Sequence, residues 1–249
     1  MKSYRKHIKT FKNLEKKLSV RNKKKIKKVF LEFTEKIKKD NGVKFTDEET
    51  KIVINIDYEF IKNKLRNALE TIYIYNLDET IKAFENVYKK QLSQKVIKGI
   101  RDYFLENHNK KNALKKAKLM TNTTRKKLNS IITQAQREGW SHRDLVKEIM
   151  DSVENMSEYR ASTIARTETS SSINQVSFET SKASGMEEKG WIHIGGKKID
   201  RENHKKLNGK WIKINEKWDL GNDIFCDCPH DSTLPASEVA RCSCLQIYR

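Results

Sequence analysis

The 249-residue sequence predicts a mainly α fold, with an elongated helical N-terminal region feeding a small α+β C-terminal domain. Three observations carry this expectation. The prolines, Pro229 and Pro235, both lie near the C-terminus, so the first 228 residues run without the strongest helix breaker. Apolar residues recur at spacings of three and four through most of that stretch. After Gly185 the texture changes to short apolar runs and turns, and Trp191, Trp211 and Trp218 fall there. The expected division is a basic helical arm over 1–45, a helical domain over 46–185 and the small α+β domain over 186–249.

In the arm, Tyr4, Ile8, Phe11, Leu14, Leu18, Ile26, Val29, Phe30, Phe33 and Ile37 form one helical stripe, with lysines on the other faces. Asn41-Gly42 closes it, since both residues tolerate the left-handed conformation at a helix end. Thr46-Asp-Glu-Glu49 reads as the entry to a second helical stretch. Ile52, Ile54 and Ile56 alternate like a strand, and helical spacing resumes from about residue 57 through Phe104. Thr121-Asn-Thr-Thr124 reads as a cap before Leu128, Ile131, Ile132 and Ala135, a run that Gly139 stops. Ser141-His-Arg-Asp144 fits a capping box, Ser157 reads as a further cap, and Gly185 is placed to end the helix beginning near Tyr159.

The net charge of +19 is uneven. Residues 1–150 hold 38 Lys/Arg against 18 Asp/Glu, whereas residues 151–249 hold 14 against 15. A positive field confined to the helical part points to a polyanion, nucleic acid or an acidic protein surface, with solvated lysine faces as the plainer alternative. The densest run supplies the candidate DNA contacts Arg21, Lys23, Lys24, Lys25, Lys27 and Lys28. No segment approaches the ~18–20 apolar residues that span a bilayer, and no apolar run after the basic N-terminus suggests a signal peptide, so no membrane role is expected.

The cysteines form two Cys-x-Cys pairs, Cys226-Asp-Cys228 and Cys242-Ser-Cys244. Four thiolates would close a tetrahedral zinc site, and a metal would stabilise a region too small and polar to hold by burial alone. His204 and His230 are alternative ligands, and reduced thiols or two disulfides are the other readings. His193, Asp200, Glu202, His204, His230 and Asp231 also offer acid–base groups for a metal-dependent nuclease, although four cysteines would leave no open coordination position for water.

A second stretch runs from Arg160-Ala161 through Ile164-Ala-Arg166-Thr167-Glu168 to Asn174. With Gly185, Trp191, Asp200-Arg201, His204, Leu207, Gly209, Pro229-x-Asp231, Glu238 and Cys242-x-Cys244, it resembles the phage Mu protein F-like, or head-morphogenesis, family over about residues 120–249. The resemblance implies a non-enzymatic minor capsid protein in the interior of a tailed-phage head, present in the host cytoplasm during assembly. It implies attachment to the portal protein, non-specific contact with packaged DNA, and scaffold or major capsid protein as further partners. Two positions depart from the family pattern. Glu202-Asn203-His204 stand where many relatives carry cysteines, and Ser243 takes the usual place of arginine.

Overall fold

The computed structural model describes residues 2–40, 43–45, 52–54, 56–106, 110–195 and 201–249. The basic arm is one continuous helix, α1 (Lys2–Lys39), and its apolar stripe buries Phe11, Leu18, Ile26, Phe30, Phe33 and Ile37. β1 (Val43–Phe45) pairs antiparallel with β2 (Ile52–Ile54), Val43 opposite Ile54, so the isoleucine alternation does mark a strand. The expected helix end at Asn41-Gly42 and the helix entry at Thr46–Glu49 lie outside the described residues.

α2 (Tyr58–Tyr88) starts where the Asp57 carboxylate accepts the Phe60 N–H at 2.9 Å, and it stops at Lys89, whose φ is 55°. α3 (Gln94–Phe104) is capped by Ser93, whose hydroxyl accepts the Val96 N–H at 3.3 Å. α4 (Lys110–Glu138) ends at Gly139, and α5 (His142–Ala183) ends at Gly185, with φ of +65° and +71°, where a side chain would strain the turn. Ser141 caps α5 as expected, its hydroxyl accepting the Asp144 N–H at 3.2 Å.

Two expected caps are corrected. Thr121–Thr124 lie inside α4, where the hydroxyls of Thr123 and Thr124 donate to the carbonyls of Leu119 and Met120, four residues back. Ser157 lies inside the 42-residue α5, donating to the Glu154 carbonyl. Hydroxyls that would cap a free helix start can bond back along a continuous helix just as well.

α5 is the axis of the molecule. α1, α2, α3 and α4 pack on it, and residues 167–178 are buried on every side. An all-round buried helix rich in Ser, Thr and Asn lets neighbours approach closely and needs partners for its polar groups, which among the described residues the hydroxyls of Thr167, Ser172 and Ser177 lack. One apolar core joins the C-terminal half of α1 to α2, α3, α4 and α5 through residues such as Phe30, Phe33, Leu65, Ile72, Leu128 and Val153. A second joins Phe11 and Leu18 to Phe84, Ile173, Phe178 and Tyr248.

The C-terminal region is built on a three-stranded antiparallel sheet, ordered β4 (Trp211–Lys213), β3 (Glu188–Ile192), β7 (Leu245–Tyr248). Gly190 sits in the middle strand between Trp211 and Ile247, and an added Cβ would lie 2.9 Å from the Trp211 ring. α6 (Glu202–Leu207), the β5 (Trp218–Asp219)–β6 (Phe225–Cys226) pair and α7 (Ala236–Val239) complete it. Trp191, Leu207, Trp218, Leu220, Leu234 and Val239 form its own small core, with Cys226, Cys242 and Cys244 in the wall.

Candidate functional site

The turn after α7 sets the geometry of the last cysteine pair. Arg241 takes a left-handed φ of 57°, and the Cys242 N–H donates to the Val239 carbonyl at 3.2 Å. The Cys244 N–H then points at the Cys242 sulfur, 3.4 Å away. The six-residue helix α6 delivers His204, its Nδ1 lying 3.5 Å from both Sγ atoms. A tetrahedral ion with bonds of about 2.3 Å to sulfur and 2.0–2.1 Å to nitrogen would separate those atoms by roughly 3.5–3.6 Å. The three ligand atoms all lie within 4.8 Å of one another and all three residues are buried, so His204, Cys242 and Cys244 could hold a metal ion.

The surroundings fit that reading. His204 Nε2 meets a Glu238 carboxylate oxygen at 2.8 Å, which leaves Nδ1 facing the sulfurs as the ligand atom. Asn203 donates to the same oxygen at 3.2 Å, and Arg201 binds the carbonyls of Ser237 and Ala240, tying α7 to α6. Trp191 packs edge-on against the His204 ring, with centroids 5.4 Å apart. The hydrogen bond from the Cys244 thiol, with the nearby His230 and His204 imidazoles, pulls the Cys242 thiol down, while the bond to Cys242, together with burial, pushes Cys244 up.

Two further histidines flank the trio. His193 Nδ1 lies 3.4 Å from the Cys244 sulfur. His230 is 2% exposed, neither ring nitrogen has a hydrogen-bond partner among the described residues, and the ring sits beside Cys242. The other two candidate ligands, Cys226 and Cys228, are buried and, like His193 and His230, lie outside the mutually close set, and burial pushes both thiols up. Sequence spacing marked the ligand types but not this partition, because the pairing of His204 with Cys242 is made by the fold across 38 residues.

The polar motif on α5 closes against this region. Arg166 donates to the Ser243 hydroxyl at 2.6 Å, and Asn174 donates to the Cys244 carbonyl at 3.3 Å. Ser171 and Gln175 both donate to the His230 carbonyl, at 2.8 and 3.2 Å. Glu168 faces the other way, accepting the Tyr73 hydroxyl at 2.5 Å with Lys116 at 3.8 Å, and Thr167 is buried beside it. Arg160 reaches back to the Thr124 hydroxyl and the Met120 carbonyl at 2.7 and 2.9 Å. Gly209, at φ +79°, donates its N–H to the Trp191 carbonyl, and Asp231 accepts the N–H groups of Asp227 and Thr233. Asp200 lies outside the described residues. The α1 and α2 partners Glu15, Asn22, Asn76 and Tyr73 escaped sequence reasoning, since nothing in a helical stripe marks which polar residue will face another helix.

The candidate DNA contacts on α1 are largely engaged within the chain. Lys23 and Lys27 both pair with Glu158, Lys28 lies 3.9 Å from Glu32, and Arg21 stacks on the Tyr75 ring at 3.3 Å. Lys25 is pushed down by partial burial and by the charges of Arg21 and Lys28. Lys24 is exposed. Among the described residues, no helix is long and apolar enough to cross a membrane.

Residues 126–244 match the family model described as Phage Mu protein F like protein. No curated protein and no solved structure matches the chain.

Proposed function

Since residues 126–244 make this chain a member of the phage Mu protein F like family, we propose that it is a minor head protein of a tailed bacteriophage. It acts in head morphogenesis, docks on the portal protein and contacts packaged DNA without reading its sequence. It resides inside the head, after passing through the host cytoplasm during assembly, where scaffold or major capsid protein is a further partner. The observation that carries this reading is the coincidence of the family match with the segment from the end of α4 through α5 to the cysteine turn. The motif residues Arg160, Arg166, Asn174, Arg201 and His204 are those that knit this segment together. The net charge of +19 supports contact with a polyanion.

The metal is zinc in this proposal, held by Cys242, Cys244 and His204, and His230, outside that close set but buried with no hydrogen-bond partner among the described residues, is the candidate for the fourth position. Two thiolates and two imidazoles suit zinc, and a closed set gives it a structural role. Bound zinc would lock α6 and the cysteine turn together. The residues around it orient those ligands, and Arg166 and Asn174 carry the restraint to α5.

The nuclease reading has less support. Glu238 is occupied by His204 and Asn203, Asp231 by two backbone N–H groups, and Glu202 pairs with Lys205 at the surface. Among the described residues, these three carboxylates are engaged within the fold.

Co-expression with the portal protein of the same phage tests the function. A complex that survives size-exclusion chromatography at moderate salt is expected. Elution of the two as separate species would remove the portal role.

A further inference from the structure

A basic face with few acidic partners lies on α4. Its 29 residues carry nine Lys/Arg and one acidic residue, Glu138, at the last position. At 100° per residue, Lys111, Lys115, Lys118, Asn122, Arg125 and Lys126 fall on one stripe, and all six are exposed. The helix buries a different arc, Ala113, Ala117, Thr121, Thr124, Leu128 and Ile132, against α2 and α5. Among the described residues none of the four lysines of the stripe has an acidic partner, and Arg125 only stacks on the Tyr58 ring at 4.7 Å. Within the Arg21–Lys28 run of α1, by contrast, Glu158 pairs with Lys23 and Lys27, and Glu32 lies near Lys28.

We propose that this stripe of α4 is a surface on which the protein meets duplex nucleic acid, through backbone phosphates. The proposal rests on the DNA contact of the function above and locates it on a helix outside the Arg21–Lys28 run. From Lys111 to Lys126 the stripe is about 22 Å long, roughly the axial span of six phosphates on one duplex strand. Cations interleaved with Asn122 suit phosphate oxygens, which accept hydrogen bonds from both residue types. A protein partner would need an apolar anchor at the centre of the contact. The stripe itself contains none, and exposed Leu119 lies at its edge.

Fluorescence anisotropy with a 30-base-pair duplex of mixed sequence, titrated against salt, tests the proposal. The wild type is compared with K115Q/K118Q/K126Q on α4 and K23Q/K24Q/K27Q on α1, after thermal melts show that both variants fold. The α4 variant is expected to bind on the order of tenfold more weakly or worse, with the log-affinity against log-salt slope reduced by about 2.7. The α1 variant is expected to change either quantity much less. If the α1 variant loses binding and the α4 variant does not, the location is wrong and the DNA contact stands. If the wild type shows no salt-dependent binding, both fail. If polyglutamate displaces the duplex as well as unlabelled DNA does at equal charge, the surface is one for acidic protein and the proposal falls.

Discussion

His204 is placed by one hydrogen bond and one ring contact, so its neighbours should govern metal affinity. Glu238→Gln keeps the shape but loses the carboxylate that orients Nε2. A 10–100-fold weaker zinc affinity is expected, measured by competition with a chromophoric chelator. His230→Ala should also weaken binding, whereas the double variant C226S/C228S should retain close to one equivalent. Loss of metal from the double variant alone would return the ligand role to the first cysteine pair. His7 supplies a different test. It is 2% exposed, stacks on Phe11 and meets the Tyr88 hydroxyl at 2.8 Å. Burial lowers its pKa to about 3 from 6.5. Below pH 6.5 the unfolded chain binds a proton that folded His7 refuses, so stability should fall as pH drops toward 3, by about 1.4 kcal/mol per unit at most. His7→Gln should flatten that dependence in urea midpoints taken at pH 7.5 and 5. An unchanged slope would place the acid sensitivity elsewhere.

At the scale of elements, α5 and the sheet whose strand β7 packs on it carry the junction between the helices and the cysteine region. Asn174→Ala removes bonds to the carbonyls of Ser170 and Cys244 and leaves the latter short of a donor. A loss of about 1–3 kcal/mol is expected, with faster amide exchange confined to β7 and the cysteine turn. Exchange that rises uniformly would mean that α5 and the turn do not form a separable contact. Gly190→Ala would push a methyl group into Trp211 and Ile247 and should cost about 1–3 kcal/mol, read as a lower urea midpoint. Much of this level was legible in the sequence. Ser141 with Asp144, Gly139 and Gly185 punctuate α4 and α5 as their chemistry requires. Thr121–Thr124 and Ser157 carry the same residue types as a cap yet lie within helices. What distinguishes them is tertiary: Arg160 on α5 engages Thr124 and the Met120 carbonyl. Local sequence holds no trace of that contact.

Across the whole molecule, the ligand types of the candidate metal site were legible because four cysteines cluster in 19 residues. Their partition was not, since it depends on where α6 delivers His204 and on the left-handed turn at Arg241. Charge followed the same pattern. The sequence locates the positive half, but only the fold reveals that Glu158, 131 or more positions along the chain, neutralises Lys23 and Lys27. Ser243, which departs from the family pattern, becomes intelligible as the acceptor for Arg166, with its carbonyl accepting from Lys12 on α1. The C-terminal turn is thus tied to both α5 and α1. Chelation of the metal should therefore lower the melting temperature and open residues 201–249 to protease before the helices are cut. Simultaneous cleavage throughout would indicate that the metal holds the whole fold.

The proposed function is tested most directly in the particle itself. Mass spectrometry of gradient-purified, DNA-filled heads from the phage that encodes this chain should find it in a few copies per head, protected from external protease. Its absence from those heads, with the protein recovered only in the soluble lysate, would contradict its role as a minor head protein.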